Sequence, residues 1–316
     1  MRRKKGVRGH YRPTTGRFLV AYQATRAGKA GLKLAISLAA GRDIGLEIVS
    51  VEPRDDSYSG VWVGDSGYDV VITNQLQKWL RQALDEVPLD IPARARIVTG
   101  ENEADAISRA AEQLSCDAII IGSRAHRVLN RVTMGATVDA LLHSATRPVA
   151  IAPPGYHYTG EVTRITAMFG PRHGCNDVVA LCMDRAQRRG IPARLVSLMV
   201  KEDKRLLKRL RKSPPKNTVA ALSAYTEEFL AELATEAIEE GDVAVATAAG
   251  ASVAEAVKEL TFVPGEMVII GSSRLAVHGR IFLGTTGAQL LHCIPVPLMI
   301  VPAGYMTGKE ATGGEG

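Results

Sequence analysis

Short apolar runs alternate with segments of helical composition along the first half of the chain. Five apolar runs predict strands, at residues 18–22, 46–51, 94–98, 118–121 and 149–152. Between them, helices are predicted at 27–40, 74–87 and 104–114, and a fourth is predicted to start near Ala136. This alternation predicts right-handed crossovers and a doubly wound, mostly parallel sheet of the α/β class.

The second half of the chain repeats the same order of elements. Its apolar runs predict strands at residues 165–169, 194–199, 243–246, 267–270 and 298–301, with helices at 178–189, 219–239 and 253–260. The α/β fold is therefore predicted twice in one polypeptide. Sheets of this kind bind ligands outside the carboxyl ends of their strands, so the loops that follow the strands are the first candidates for a site.

An internal sequence repeat supports the two copies. The segment LLHSATRPVAIAPPGY, which starts at Leu141, recurs as LLHCIPVPLMIVPAGY from Leu290, an offset of 149 residues (290 − 141). Repeats of this length are whole domains. The sequence therefore divides into a basic tail at 1–17, a first domain at 18–153, a linker at 154–162, a second domain at 163–302 and a C-terminal tail at 303–316.

Composition agrees with two globular domains, because 46% of the 316 residues are hydrophobic and 23% are charged. No apolar stretch approaches the ~18 residues of a membrane-spanning helix, and the N-terminus lacks the hydrophobic core of a signal peptide. The sequence therefore predicts a cytoplasmic protein without membrane insertion. The four cysteines form no C-x-x-C pair and are predicted to be free thiols: Cys116, Cys175, Cys182 and Cys293.

The positive charge is concentrated at the N-terminus. The chain has a net charge of +6, and residues 1–17 contain seven arginines and lysines and no acid, which leaves −1 for the remainder (6 − 7). Such a tail can contact nucleic acid, an acidic protein or anionic lipid through its field. The favoured interpretation is a solvated, disordered leader, because no aromatic stacking pattern accompanies the charge.

The loop after the fourth strand carries the motif with chemical content. The segment GSRAHRVLNRVTMGATVDALL starts at Gly122 and resembles the universal stress protein signature, Gly-x2-Gly-x9-Gly-Ser/Thr. The resemblance implies a five-stranded, adenine nucleotide alpha hydrolase-like parallel sheet in each copy. It also implies ATP as the ligand, with Mg²⁺ accompanying the nucleotide. The triphosphate would lie at the glycine-rich loop and the helix start, where backbone N–H groups attract anions.

The resemblance assigns site residues one by one in the first copy. Gly122 stands at the first glycine of the signature, Ala125 at the second and Gly135 at the third. Ala136 stands at the hydroxyl position, and Thr137, directly after it, can supply the displaced hydroxyl. The alternative is that the glycines serve only the turn between strand and helix.

The remaining site residues follow from the ends of the first two strands. The aspartate that ends strand one in nucleotide-binding members of the family is replaced by Gln23, whose amide also bonds a base or a ribose. Val51 stands where the family lines the adenine pocket. The predicted nucleotide-binding residues are therefore Gln23, Val51, Gly122, Ser123, Arg124, Ala125, Gly135, Ala136 and Thr137.

The second copy matches the signature less well. Arg274 stands where the second glycine belongs, and its long side chain either fills the pocket or clamps a phosphate. The position of the strand-one aspartate is Gly170, which offers no side chain. The predicted second site, weaker than the first, comprises Gly271, Arg274, Gly284, Thr285 and Thr286.

Other features of the sequence have both a structural and a functional interpretation. His143 and His292 recur late in equivalent helices, where a structural role at the helix end is favoured over a paired site. The insert at residues 55–71 is interpreted as a surface loop or partner contact, with a lid over the ligand as the alternative. The basic segment at 201–216 is a flexible linker or a contact for an acidic partner.

The resemblance also predicts how the two copies associate. Universal stress proteins commonly dimerise through their last strand, which implies that residues 149–152 and 298–301 pair within one chain as a pseudo-two-fold unit. A homo-oligomer of such tandems is the other arrangement that the resemblance allows.

Three functions remain open from the sequence. The favoured one is a stress-response regulatory protein that binds ATP or a related nucleotide, mainly in the first copy. The second is a scaffold of the same fold that binds no nucleotide and holds a partner through its tail or inserts. The third is a slow nucleotide hydrolase. No Ser-His-Asp, Cys-His or two-carboxylate arrangement stands out, so neither catalytic residues nor a metal site are predicted.

Overall fold

The architecture is that of a computed structural model, which describes residues 6–7, 10–53, 66–124, 126–128, 131–158, 160–169, 176–200, 243–273 and 275–305. The chain divides into two compact units, Met1–Glu161 and Val162–Gly316. The segment predicted as a linker, at 154–162, belongs almost wholly to unit 1. The Ser37 hydroxyl, in the first helix, donates a hydrogen bond of 2.5 Å to the Gly160 carbonyl oxygen, which holds this segment on the unit.

Unit 1 contains a mostly parallel sheet. Its strands are β1 (Gly6–Val7), β2 (Gly16–Ala21), β3 (Ile44–Pro53), β4 (Ala93–Gly100), β5 (Ala118–Gly122) and β8 (Val149–Ala152), in the spatial order β1-β4-β3-β2-β5-β8. The connecting elements are α1 (Arg26–Ala39), α2 (Ser66–Asp85), α3 (Glu103–Gln113), the hairpin β6 (His126–Val128) and β7 (Arg131–Thr133), and α4 (Ala136–Ser144). The strands β2, β3, β4, β5 and β8 pair in parallel, which confirms the predicted fold class.

The apolar sequence of β5 explains its central position. All five of its residues, AIIIG, are buried, as expected for a parallel strand covered on both faces. Helix α1 packs on β5 and buries Leu32, Leu34 and Leu38, each at most 2% exposed. Thr25 is the N-cap residue of α1, and its hydroxyl accepts a hydrogen bond of 3.2 Å from the Gly28 N–H, so a side-chain cap fixes the start of the helix close to the end of β2.

The N-terminal segment joins unit 1 before the predicted boundary at residue 18. β2 starts two residues earlier, and β1 pairs antiparallel with β4. The Arg12 guanidinium contacts the Asp43 carboxylate at 2.7 Å, and the Thr15 N–H donates to the same carboxylate over 2.9 Å. The hydrogen bond from the Thr15 N–H is the largest of the interactions that lower the pKa of Asp43. Residues 10–17 are therefore anchored to the fold, which their interpretation as a free leader missed.

Unit 2 has the same architecture. Its strands are β9 (Arg164–Phe169), β10 (Ala193–Val200), β11 (Val243–Gly250), β12 (Glu266–Gly271) and β13 (Leu298–Val301), in the order β13-β12-β9-β10-β11 and all parallel. Its described helices are α5 (Asn176–Gln187), α6 (Val253–Lys258) and α7 (Thr285–Cys293). The helix predicted at 219–239 and the basic segment at 201–216 lie outside the described residues. The pairing of the two last strands stays a prediction.

A buried group of charged residues lies at the amino-terminal end of the unit 2 sheet. The Glu266 side chain is fully buried, and its carboxylate accepts hydrogen bonds of 2.5 Å from Arg164, 2.6 Å from Arg194 and 2.5 Å from the Thr166 hydroxyl. Burial lowers the pKa of Arg194, and Glu266 opposes that shift. We call Glu266, Arg164, Arg194 and Thr166 the buried ion group.

The cysteines that the structure describes are free thiols, as predicted. Cys116 and Cys182 are buried, and burial raises the pKa of each thiol to about 12. Cys293 is half-buried, and burial raises its pKa as well. Cys175 lies outside the described residues. These thiols are therefore in the unreactive protonated form at neutral pH.

Candidate functional site

The predicted site of unit 1 lies where the strand order reverses. β2 lies between β3 and β5, so the chain moves from β2 toward one edge of the sheet and later returns to β5 on the other side of β2. β2 leads into Gln23, and β5 leads into Ser123 and Arg124. A switch point of this kind leaves a crevice outside the strand ends, because the flanking connections diverge to opposite faces of the sheet.

Gly122 lets α1 approach the end of β5. A Cβ atom on Gly122 would lie 1.8 Å from the Ala27 carbonyl oxygen, and a Cβ on Gly31 would lie 2.7 Å from the Gly122 nitrogen. A Cβ on Gly28 would lie 1.9 Å from the Gln23 carbonyl oxygen. Real Cβ contacts below 3.0 Å essentially never occur, so these glycines are required for the packing of α1. Gly122 therefore has a structural role in the packing of α1 on β5, and this role differs from the predicted alternative of a turn between strand and helix.

The segment between Gly122 and Gly135 differs from the predicted glycine-rich loop. β6 and β7 pair antiparallel within it, over three residues each. The β-branched residues of these strands favour extended backbone, which explains a hairpin where the signature has a loop. Ala125, at the place of the signature's second glycine, lies outside the described residues.

Ser123 has a structural contact. It is 3% exposed, and its hydroxyl and its N–H both donate to the Ala152 carbonyl oxygen at the end of β8, over 2.9 and 3.0 Å. Ser272 makes the same contact in unit 2, where its hydroxyl donates to the Val301 carbonyl oxygen over 2.8 Å. The hydroxyl of Ser123 therefore joins two strand ends.

The first turn of α4 begins at a glycine in an unusual conformation. Gly135 is the N-cap residue with φ +105°, a region that favours glycine because a Cβ atom is strained there. Among the described atoms none lies within 4 Å of where its Cβ would be, and none of the described side chains caps this helix. The N–H groups of the first turn can therefore bond an anion. Ala136 and Thr137 follow in this turn.

A chain of hydrogen bonds joins the switch point to the start of α4. Arg124 Nη2 donates to Gln23 Oε1 over 3.2 Å, and Gln23 Nε2 donates to Glu103 Oε1 over 2.7 Å. The Thr137 hydroxyl donates to Glu103 Oε2. The charges orient the Gln23 amide, because its oxygen faces a cation and its nitrogen faces a carboxylate. We call Arg124, Gln23, Glu103 and Thr137 the cleft cluster.

Glu103 is the member of the cleft cluster that the sequence analysis missed. It is the first residue of α3, directly after the N-cap Asn102, whose side chain accepts hydrogen bonds from Ala104 and Asp105. β4 ends at Gly100, so Glu103 follows a strand whose carboxyl end opens on the same edge as those of β2 and β5. The sequence signal that could have identified Glu103 is an acidic residue shortly after a predicted parallel strand.

Val51 and the insert after it are described only in part. Val51 lies half-buried in β3, opposite Val98 of β4. Residues 54–65 of the insert lie outside the described part of the chain, whereas residues 66–71 begin α2. The Thr73 hydroxyl of α2 donates to Glu52 over 2.5 Å, which holds this helix at the end of β3. The predicted lid therefore stays a prediction.

Unit 2 does not repeat the cleft cluster in its described residues. Gly284 caps α7 with φ −78°, so it lacks the left-handed backbone of Gly135, and Thr285 and Thr286 are exposed in the first turn. Gly271 ends β12, whereas Gly170 and Arg274 lie outside the described residues. The counterpart of Glu103 is the buried Val253, the first residue of α6.

Metal sites and membrane spans are absent from the part of the chain that the structure describes. In that part, no three His, Cys, Asp or Glu side chains are grouped to hold a metal ion. Among the described helices, none combines the length and the apolar character that crossing a bilayer requires. His143, late in α4, bonds the Asp139 carbonyl oxygen through Nδ1 over 2.6 Å, which agrees with its predicted structural role.

Comparisons with known proteins agree with the sequence and the fold. Residues 14–153 match the model of the universal stress protein family. A universal stress protein of Mycobacterium tuberculosis is 26% identical over 292 residues, which cover 90% of this chain and 99% of that protein, and one of Mycobacterium bovis matches equally well.

The solved structure of a universal stress protein from Archaeoglobus fulgidus has a TM-score of 0.59 at 14% identity and covers 91% of this chain and 98% of that one. A Pseudomonas aeruginosa structure has a TM-score of 0.58 at 16% identity, over 95% and 97% of the two chains. The domain at residues 14–153 therefore belongs to the universal stress protein family, and over 90% of its length the chain is similar to curated universal stress proteins.

Proposed function

We propose that unit 1 binds ATP or a related adenine nucleotide in the crevice at the cleft cluster, and that the protein acts as a stress-response regulatory binding protein. The observation that carries the proposal is the cleft cluster itself, which gathers polar side chains from the ends of β2, β4 and β5 and from the start of α4. Ligands bind at this edge of doubly wound sheets. The role is binding, and hydrolysis is not part of the proposal.

Each residue of the crevice has a chemical task in this proposal. The amide of Gln23 both donates and accepts, so it suits the mixed donor and acceptor edge of adenine or a ribose hydroxyl. The Thr137 hydroxyl, the free N–H groups of α4 and the Arg124 guanidinium are donors to phosphate oxygens. Gly135 leaves the approach to these donors unobstructed by its own side chain.

Thr137→Val is expected to weaken ATP binding about tenfold, or by about 1.4 kcal/mol, because one hydroxyl donor to a charged phosphate is lost. Isothermal titration calorimetry with ATP measures this. The matched control is Thr146→Val. The Thr146 hydroxyl, just after the carboxyl end of α4, donates to Glu112 near the carboxyl end of α3 over 2.8 Å, so this contact lies at the helix ends that are remote from the crevice. ATP binding that is equally strong in both variants and the parent protein contradicts the proposed site.

A further inference from the structure

Glu103 places a negative charge where the proposed function needs an anion site. Both carboxylate oxygens accept hydrogen bonds from side chains of other elements, Gln23 after β2 and Thr137 in the first turn of α4. A carboxylate beside a helix start is stabilised by the same N–H groups and dipole that attract a phosphate. The side chain of Glu103 therefore competes for the place of a ligand phosphate.

We propose that Glu103 determines which ligands unit 1 accepts, by disfavouring phosphate groups at the start of α4 while leaving the nucleoside end of the crevice free to bind. This inference rests on the proposed nucleotide-binding function. A phosphate that enters must displace the Glu103 carboxylate from Thr137 or lie beside a like charge, and either event weakens binding.

A purely structural role does not explain the contacts of Glu103. An acid in the first turn of a helix stabilises that helix through its own dipole, and Asp105 is equally positioned for that in α3. Glu103 instead contacts side chains of two other elements. In unit 2 the corresponding residue is Val253, which is buried and uncharged, so the fold does not require a carboxylate at this position.

The test replaces the charge and keeps the shape. Glu103→Gln is expected to bind ATP at least tenfold more tightly than the parent protein in calorimetric titrations with EDTA, which removes divalent cations. The gain for AMP is expected to be smaller, and the change in affinity for adenosine to be the smallest of the three, because adenosine has no phosphate group to meet the removed charge. The control is Asp105→Asn, an exposed acid of the same helix turn, for which ATP affinity is expected to stay within twofold.

The outcomes separate this inference from the proposed function. ATP affinity in Glu103→Gln that equals or falls below that of the parent protein overturns the role of Glu103, while measurable ATP or adenosine binding leaves the nucleotide site standing. Titrations repeated with Mg²⁺ add a second criterion, because a loss of ATP affinity in Glu103→Gln only with Mg²⁺ makes Glu103 a metal ligand and also overturns the inference. If neither the parent protein nor Glu103→Gln shows measurable binding of ATP, AMP or adenosine, the proposed nucleotide binding and this inference are both wrong.

Discussion

Gly122→Ala is expected to destabilise unit 1 by about 3 kcal/mol, at the upper end of the cost of overpacking. The added Cβ would lie 1.8 Å from the Ala27 carbonyl oxygen, which is a backbone atom of α1. A flexible side chain could turn away, but here α1 must move off β5. That movement exposes apolar surface, because α1 carries buried leucines.

Urea denaturation followed by tryptophan fluorescence measures this effect in the right unit, because Trp62 and Trp79 both belong to unit 1. Gly155→Ala is the control, since Gly155 has φ +77° but no described atom within 4 Å of its Cβ position. The control therefore has backbone strain alone, at about 1 kcal/mol. A Gly122→Ala variant as stable as the Gly155→Ala variant contradicts the close approach of α1.

Glu266→Gln is expected to destabilise unit 2 by about 3–5 kcal/mol, because it leaves two guanidinium groups next to a neutral side chain in the interior. The carboxylate is fully buried and accepts hydrogen bonds from Arg164 and Arg194 at 2.5 and 2.6 Å. Arg194 also donates to the Thr261 carbonyl oxygen over 2.9 Å, so its guanidinium is held in place when the partner charge is lost.

Hydrogen exchange of peptides from β9, β10 and β12 measures this loss within unit 2, because these strands hold the buried ion group. The control is Glu259→Gln, which removes an exposed carboxylate of the same unit and is expected to change stability by at most about 0.5 kcal/mol. Equal protection of these strands in the two variants would falsify the account of the buried ion group.

The fold was predictable because the hydrophobic pattern of each strand and helix is local in the sequence and occurs in both halves of the chain. The apolar run at 118–121 became the buried strand β5, and the helix predicted to start near Ala136 begins at that residue. The hydrophobic periodicity indicates which positions are buried, because burial follows from the polarity of each side chain. The duplicated segment indicates that the same order of elements occurs twice. The early start of β2 was missed, because Gly16 and Arg17 lack the apolar character that marked the rest of the strand.

The candidate site was predictable only where residues adjoin in sequence. Thr137 and Gly135 follow from the signature. The place of Glu103 depends instead on the contact of α3 with the end of β2 and the start of α4, which a single sequence does not reveal. The role of Gly122 was ambiguous for the same reason. A glycine that admits a phosphate and a glycine that admits a helix look identical until the position of Ala27 is known.

A crystal structure of the full chain with a non-hydrolysable ATP analogue tests nucleotide binding by unit 1 without intermediate assumptions. We expect analogue density in the crevice of unit 1, with its base near Gln23, its phosphates near the first turn of α4 and the hydrogen bond between Thr137 and Glu103 broken. Analogue density elsewhere, or an intact cleft cluster at millimolar analogue with an empty crevice, contradicts the proposed binding.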